Sequence, residues 1–325
     1  MRKAEESGAA LLTVLLLVAV MAVIAVGVLD DIRFGVRRTA NAGGAGQAQW
    51  YALGAEELAR VRIARLARAT PGRTTLQGDW NGRPFQFPIE NGLLSARISD
   101  ATGCFNLNSV AEARGDRFGR RDLGVRQFVI LLAQLGIPES RGQNLADNLA
   151  DWIDSDDIST GGSEDQDYAR LSPAYRTGGV MLAEASELRT IRGFTPDIYE
   201  RIRPFVCALP TTDLSPVNVN TLSADRGALI TMMTLGAIAP EAGNRLLAGR
   251  PAEGWATLPD FWNEPILVDQ VPAETVRDQV ALRTRFFSLD ADATFAGSHA
   301  TLNALLEVDT AGSVKLVARR WTRDE

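Results

Sequence analysis

The sequence predicts an α+β protein in which one long N-terminal apolar helix packs on a small antiparallel sheet and a large all-α domain is inserted into that sheet. Three observations predict it. Residues 9–29 form a run without a single charge. Strand-like alternation occurs twice, at 74–99 and again at 283–322. The stretch between, 110–278, reads almost wholly as helix. A chain of 325 residues is long enough to bury two cores.

Composition removes several function classes before any motif is considered. A net charge of −6 opposes a nucleic-acid partner, because phosphate binding needs a basic surface. The single histidine, His299, lies far in sequence from any acidic cluster, which leaves no basis for histidine catalysis or a zinc site. No enzymatic activity is expected. Arginine supplies nearly all the basic charge, with lysine only at Lys3 and Lys315, a bias that carries no functional reading. Cys104 and Cys207 fit no metal motif; they are either a disulfide or two buried thiols, and the compartment decides which.

Ahead of the apolar run stands MRKAEESG, a short polar segment ending at Gly8. At 1.5 Å per residue, a helix over 9–29 spans about 30 Å, the thickness of a bilayer's hydrocarbon core. A cleaved secretory signal has a shorter apolar region, roughly 7–15 residues. A plain single-pass anchor fits the length but leaves the Gly8 boundary unexplained. A leader cut between Gly8 and Ala9, with the apolar run kept as an anchor, accounts for both. Helical character continues through QAQWYALGAEELARVRIARLARA at 47–69, where Glu56 and Glu57 precede Arg60 at i,i+4 and i,i+3. The glycine-rich patch at 42–46 is expected to loosen or bend the helix.

Beyond the helix, 74–99 carries a turn at Trp80-Asn81-Gly82 and a period-two piece at Phe85-Gln86-Phe87. The C-terminal piece reads as strands joined by hairpin turns at Ala296-Gly297 and Ala311-Gly312. The two pieces are expected to form one sheet on the anchor helix. Within the insertion, 125–135 is an apolar helix stopped by Gly136 and Pro138. Leu145, Leu149, Trp152 and Ile153 then recur on one helix face. The segment SELRTIRGFTPDIYERIRPFV at 186–206 reads as helix, tight turn at Gly193, and a second helix with Thr195 as N-cap and Pro196 at its first position. It is helix-hairpin-helix-like, and in an acidic, anchored chain it is read as a packing unit. The repeated patterns FNLNSV at 105–110 and VNVNTL at 217–222 are read as repeated helix starts, with Ser109 and Glu112 as a capping box.

Seven acidic residues and no basic one lie between positions 151 and 167: Asp151, Asp154, Asp156, Asp157, Glu164, Asp165 and Asp167, with Gly161 and Gly162 among them. Carboxylates this dense repel unless a cation holds them. Oxygen ligands without histidine or cysteine point to calcium. An EF-hand is excluded, because a loop starting at Asp154 has Ile158 and Ser159 where a ligand and a glycine belong. A solvated acidic loop is the plain alternative, and a paired-carboxylate glycosidase finds no cleft or catalytic partner.

A short charged leader ending in glycine, followed directly by an apolar run, resembles type IV pilins and type II secretion pseudopilins. The run DWIDSDD…GGSEDQDY…PAYRTGG…SELRTIRGFTPDIYERIRPFVCALP…VNVNTL narrows this, because it resembles the K-type minor pseudopilins, general secretion pathway protein K. The resemblance covers nearly the whole chain. It implies a pilin-like fold divided as leader 1–8, transmembrane helix 9–29, periplasmic helix 30–72, sheet domain 73–109 with 279–325, and inserted helical domain 110–278. It further implies a place at the tip of a short pseudopilus, initiating or capping assembly for protein export across the outer membrane. The implied surroundings are the inner membrane and periplasm, and the implied partners are the I-, J- and H-type minor pseudopilins, the major pseudopilin, prepilin peptidase, secreted substrates and the outer-membrane channel, with no nucleic acid. The implied calcium ligands are Asp151, Asp154, Asp156, Glu164, Asp165 and Asp167. The family's glutamate at the fifth mature residue is replaced here by Thr13, which suits a subunit with no neighbour above it, since an unpaired carboxylate in the membrane costs roughly 3 kcal/mol. An oxidising periplasm also favours a Cys104–Cys207 disulfide. A minor pilin of a related pilus or DNA-uptake system, or a membrane-anchored calcium-dependent periplasmic protein, are the alternative readings.

Overall fold

The computed structural model describes residues 2–270 and 274–322, with side-chain surroundings from Ala9 onward apart from residues 274 and 275. Helix α1, Arg2–Ala69, runs without interruption. Its membrane-length apolar part stands clear of the rest: each apolar side chain larger than alanine from Leu11 to Leu29 is at least 51% exposed. Its second half presents a stripe of five alanines, Ala48, Ala52, Ala55, Ala59 and Ala67, with Ile63 among them, buried against the sheet. Alanine keeps the helix axis close to the strands.

The glycine patch does not bend α1. Gly44 is buried, and a Cβ there would stand 2.6 Å from Ser298 Oγ. The glycine therefore lets the helix graze the tip of a sheet hairpin, and cooperative helical hydrogen bonding outweighs its local cost of about 1 kcal/mol.

Strands β1 (Pro84–Ile89) and β2 (Gly92–Asp100) form a hairpin about Glu90 and Asn91. The chain leaves through β3 (Phe105–Asn106), the hairpin β4 (Ala111–Arg114) and β5 (Arg117–Arg120), and helices α2 (Asp122–Gln134) and α3 (Glu139–Ile153). The short helices α4 (Asp165–Tyr168) and α5 (Pro196–Ile202) precede β6 (Val206–Cys207). A second part holds β7 (Val217–Asn218), α6 (Gly227–Met233), α7 (Pro240–Ala248), α8 (Leu258–Trp262), α9 (Glu274–Arg277) and β8 (Val280–Ala281). The chain then re-enters the sheet as β9 (Phe286–Phe295), β10 (Ser298–Val308) and β11 (Val314–Arg320). The sheet order is β1-β2-β9-β10-β11, antiparallel throughout. Its central pairing, β2 with β9, joins residues almost 200 apart, as expected of one sheet split by an insertion. The Ala296-Gly297 turn has φ of 48° and 82°, the left-handed pair of a tight hairpin.

Two separate cores result. One lies between α1 and the sheet; the other runs from Phe105 to Val280 inside the insertion. The insertion is not wholly helical: the β4–β5 hairpin belongs to it, and the two-residue parallel pairs β3–β6 and β7–β8 carry its body a few residues beyond the expected bounds of 110–278 at each end. Before Gly193 the chain is a six-residue 3-10 helix, Ala185–Thr190; Thr195 takes the N-cap position of α5 without a side-chain capping bond. The Ser109–Glu112 capping box does not form, because Ser109 donates to Asn106 O and Glu112 lies in β4, bonded to Arg114.

The repeated asparagines are buried backbone clamps. Asn108 accepts from Leu182 N and donates to Leu182 O; Asn220 does the same to Trp255. A side-chain amide that satisfies both backbone groups of one residue holds a loop that no sheet ladder reaches. Asp100, at the end of β2, joins the two bodies by accepting from the hydroxyls of Thr102, Thr221 and Thr284.

Glu56 fixes α1 to the sheet edge. It is 1% exposed, bonded to Arg60 at 3.0 Å as its spacing predicts, and gripped by Arg319 of β11 at 2.7 and 2.9 Å. Burial alone would raise its pKa, but hydrogen bonds and charge from Arg319 and Arg60 outweigh this and lower it. The contribution of this pair is therefore present above the ordinary carboxylate range and lost as pH falls below it. Glu56→Ala is expected to cost about 2–3 kcal/mol in a denaturant titration. That is less than for a fully buried pair, because Arg319, 35% exposed, reaches water once released.

Candidate cation site and membrane rod

Helix α3 ends at Ile153 and delivers Asp147, Asp151 and Asp154 at i, i+4 and i+7, on one face. The loop that follows folds back over this face. Asp151, fully buried, accepts from Ser159 Oγ at 3.1 Å, Thr160 N at 3.2 Å, Thr160 Oγ1 at 2.8 Å and Gly162 N at 3.1 Å. Gly162 permits the approach: a Cβ there would meet Asp147 O at 2.6 Å and Asn148 N at 2.7 Å. Gly162→Ala is expected to lift the loop, lowering stability by about 1–3 kcal/mol on a thermal melt, as overpacking against backbone does.

Asp151, Asp154 and Glu164 converge, each offering a carboxylate oxygen within 4.8 Å of the others. Asp154 is 4% exposed and Glu164 5% exposed, yet Asp154 Oδ1 and both oxygens of Glu164 have no hydrogen-bond partner. Burial, then the charges of Asp156 and Asp151, push the Asp154 pKa up to about 7. Burial, then the charges of Asp151, Asp154, Asp156 and Asp157, push Glu164 up to about 8. Three buried carboxylates, two with idle oxygens, form a cradle whose charge is relieved by protons or by a bound cation, and they are the residues that would hold one. Oxygens on a sphere of calcium–oxygen radius, about 2.3–2.6 Å, stand at most about 5 Å apart, which this spacing satisfies.

The other acidic residues of the predicted set stand differently. Asp156 is exposed, its Oδ1 accepting from Ile158 N at 2.9 Å. Asp165 accepts from Thr177 N and Oγ1, both at 2.9 Å, and Asp167 pairs with Arg170 and Arg192. Three of the six thus converge and three hold the loop's own turns and rim. Sequence reasoning missed the supporting residues Asp147, Ser159, Thr160 and Arg120. Only Asp147 carried a signal, its helical spacing from Asp151. Cys104 and Cys207 form a disulfide with Cα atoms 5.8 Å apart, beside the β3–β6 pair.

At the other end of the molecule, α1 contains an apolar window of mean hydropathy 3.0 with none of it buried within the chain. Thr13 Oγ1 donates to Ala10 O at 2.8 Å, so its one polar group is satisfied inside the helix. The surroundings of Gly8, where the predicted cut falls, lie outside the described side chains; Ala9 is exposed.

An exposed apolar rod laid by its alanine stripe onto an antiparallel sheet, with a second body inserted between two strands, is the build of a pilin-type filament subunit. Family models described as "Type II secretion system (T2SS), protein K" match residues 103–211 and 217–283. Type II secretion system protein K of Pectobacterium carotovorum subsp. carotovorum is 32% identical over 98% of this chain and 97% of its own. The protein of the same name from Aeromonas hydrophila is 34% identical over 83% of this chain and 81% of its own. Among solved structures, the GspK–GspI–GspJ complex of the enterotoxigenic Escherichia coli type 2 secretion system contains a chain that superposes with a TM-score of 0.78 at 28% identity, covering 88% of this chain and 99% of that one. This chain belongs to the type II secretion system protein K family and is a minor pseudopilin.

Proposed function

We propose that this minor pseudopilin works without catalysis at the tip of the pseudopilus, where it initiates or caps the filament. Residues 1–8 are removed as a leader after Gly8 by a prepilin peptidase. The mature chain, starting at Ala9, stays in the inner membrane by 9–29 and holds the rest in the periplasm. The observation that carries this is the apolar rod, unburied within the chain from Leu11 to Leu29 and free of ionisable groups, so that only lipid or other rods can cover it. Thr13, satisfied by its own backbone, needs no partner above it.

One relative of known structure was solved with GspI and GspJ. The equivalent minor pseudopilins are the natural neighbours of this chain, with the H-type and major pseudopilins below them and the secreted substrate and outer-membrane channel beyond. The insertion, taken as the domain 110–278 between sheet segments 73–109 and 279–325, is too bulky for a repeating filament wall and fits at an end. Its helix-hairpin-helix-like part packs within that domain. Asp151, Asp154 and Glu164 hold calcium, with Asp156 close by and Asp165 and Asp167 shaping the loop. The N-terminus of protein extracted from membranes tests the proposal. Ala9 is expected, and a start near Gly27, with the rod removed, overturns it.

A further inference from the structure

The β4–β5 hairpin lies against the acidic loop, and its contacts place one basic side chain there. Arg120, at the end of β5, is 20% exposed and donates to Asp147 Oδ1 at 2.7 Å, Asp122 Oδ1 at 3.0 Å and Thr160 Oγ1 at 3.4 Å. Thr160 is the residue whose hydroxyl and backbone N–H hold Asp151. Asp147, the main anchor of Arg120, is fixed again by Gln143 Nε2 at 2.9 Å and lies beneath Gly161 and Gly162. A second clasp joins the hairpin to the loop's first residue: Phe118 N donates to Ser155 Oγ at 2.9 Å, and Ser155 N donates to Phe118 O at 3.0 Å.

We propose that Arg120 is the positioning residue of the cation site, and that through it the β4–β5 hairpin acts as a strap holding loop 155–162 in its cation-ready form. The inference rests on the calcium reading of Asp151, Asp154 and Glu164. Two effects of Arg120 on a cation oppose each other. Its positive charge repels the ion, while its bonds preorganise Asp151 through Thr160. Position wins, because Asp147 and Asp122 pair with the guanidinium at direct hydrogen-bond distance and weaken the field it exerts, which at Asp154 ranks below burial and the charges of Asp156 and Asp151. Lysine cannot reproduce the effect, since one ammonium lacks the planar fork that spans three separate acceptors.

The test is calcium titration by calorimetry on the purified full-length chain in detergent, with hydrogen exchange read at the hairpin and loop. The wild type is expected to bind calcium and to gain protection at both 117–120 and 159–162. Arg120→Gln and Arg120→Lys are each expected to bind about 10-fold more weakly, the low end of losses from residues behind the ligands. Asp147→Asn, which keeps the shape, is expected to show the same loss. Far-ultraviolet circular dichroism of each variant must match the wild type for its affinity to count. Unchanged or tighter binding in folded Arg120 variants overturns the proposal. Absence of calcium binding by the wild type removes the calcium reading beneath it instead.

Discussion

Metal-free protein is expected to be more stable at pH 5 than at pH 8, and saturating calcium is expected to reverse most of the loss. Asp154 and Glu164 ionise near 3.8 and 4.5 when unperturbed, but stand at about 7 and about 8 in the fold. Both folded-state values are raised, so the native state holds protons more tightly than the unfolded chain. Stability is therefore full below about pH 4, falls as pH rises through 7 and 8, and levels off above. Each tenfold change in proton affinity is about 1.4 kcal/mol, so forcing the pair to ionise costs several kcal/mol. The two carboxylates share one field, and the total is less than the sum of separate terms. In the proposed calcium-bound form the ion takes the place of the protons: at 100 times its dissociation constant a ligand adds about 2.7 kcal/mol, and at 1,000 times about 4. Thermal melts of stripped protein at both pH values, with and without calcium, measure this. Asp154→Asn with Glu164→Gln is expected to stabilise the metal-free protein at pH 8 while abolishing the calcium shift. A metal-free wild type that gains stability from pH 5 to pH 8 contradicts the account.

Loss of the disulfide is the second large effect. Cys104 and Cys207 are 103 residues apart and join the two ends of the insertion's first part. In the chain-entropy description, a cross-link closing a loop of about 100 residues stabilises by about 4–5 kcal/mol. Cys104→Ala with Cys207→Ala is expected to lower unfolding free energy by about 4 kcal/mol in a urea titration. The effect should exceed that of Glu56→Ala, because the bridge limits the whole unfolded loop while the ion pair acts only on folded contacts. A double variant within 1 kcal/mol of the parent would show that β3–β6 pairing and the asparagine clamps already hold that loop without the bond.

The acidic loop shows how far residues alone reach. Its charge density and lack of basic residues raise the expectation of a cation site, and oxygen ligands without histidine or cysteine point that expectation to calcium. Which carboxylates converge was not legible. Asp154 and Glu164 are buried and keep idle oxygens, whereas Asp165, next in sequence to Glu164, is occupied by Thr177. The difference depends on how a glycine loop folds over α3, and no local pattern encodes that. Arg120 was invisible for the same reason, because the two partners that tie it to the site, Asp147 and Thr160, stand 27 and 40 residues away. The glycine patch misled, since a residue judged by helix propensity alone signals a bend, while in place Gly44 answers a close approach by Ser298.

By itself, the sequence determined the properties that depend on near neighbours: the length and oiliness of α1, the i,i+4 pairing of Glu56 with Arg60, the turn at Ala296-Gly297 and the alternation of the long strands β9 and β10. Those follow from covalent geometry and the transfer of side chains out of water, which act within a few residues. Tertiary structure alone decided the grip of Arg319 on Glu56, the asparagine clamps on Leu182 and Trp255, and the choice of three carboxylates among six. Each of these brings together groups far apart in the chain, and their free energy depends on distances and burial that exist only once the two cores have formed.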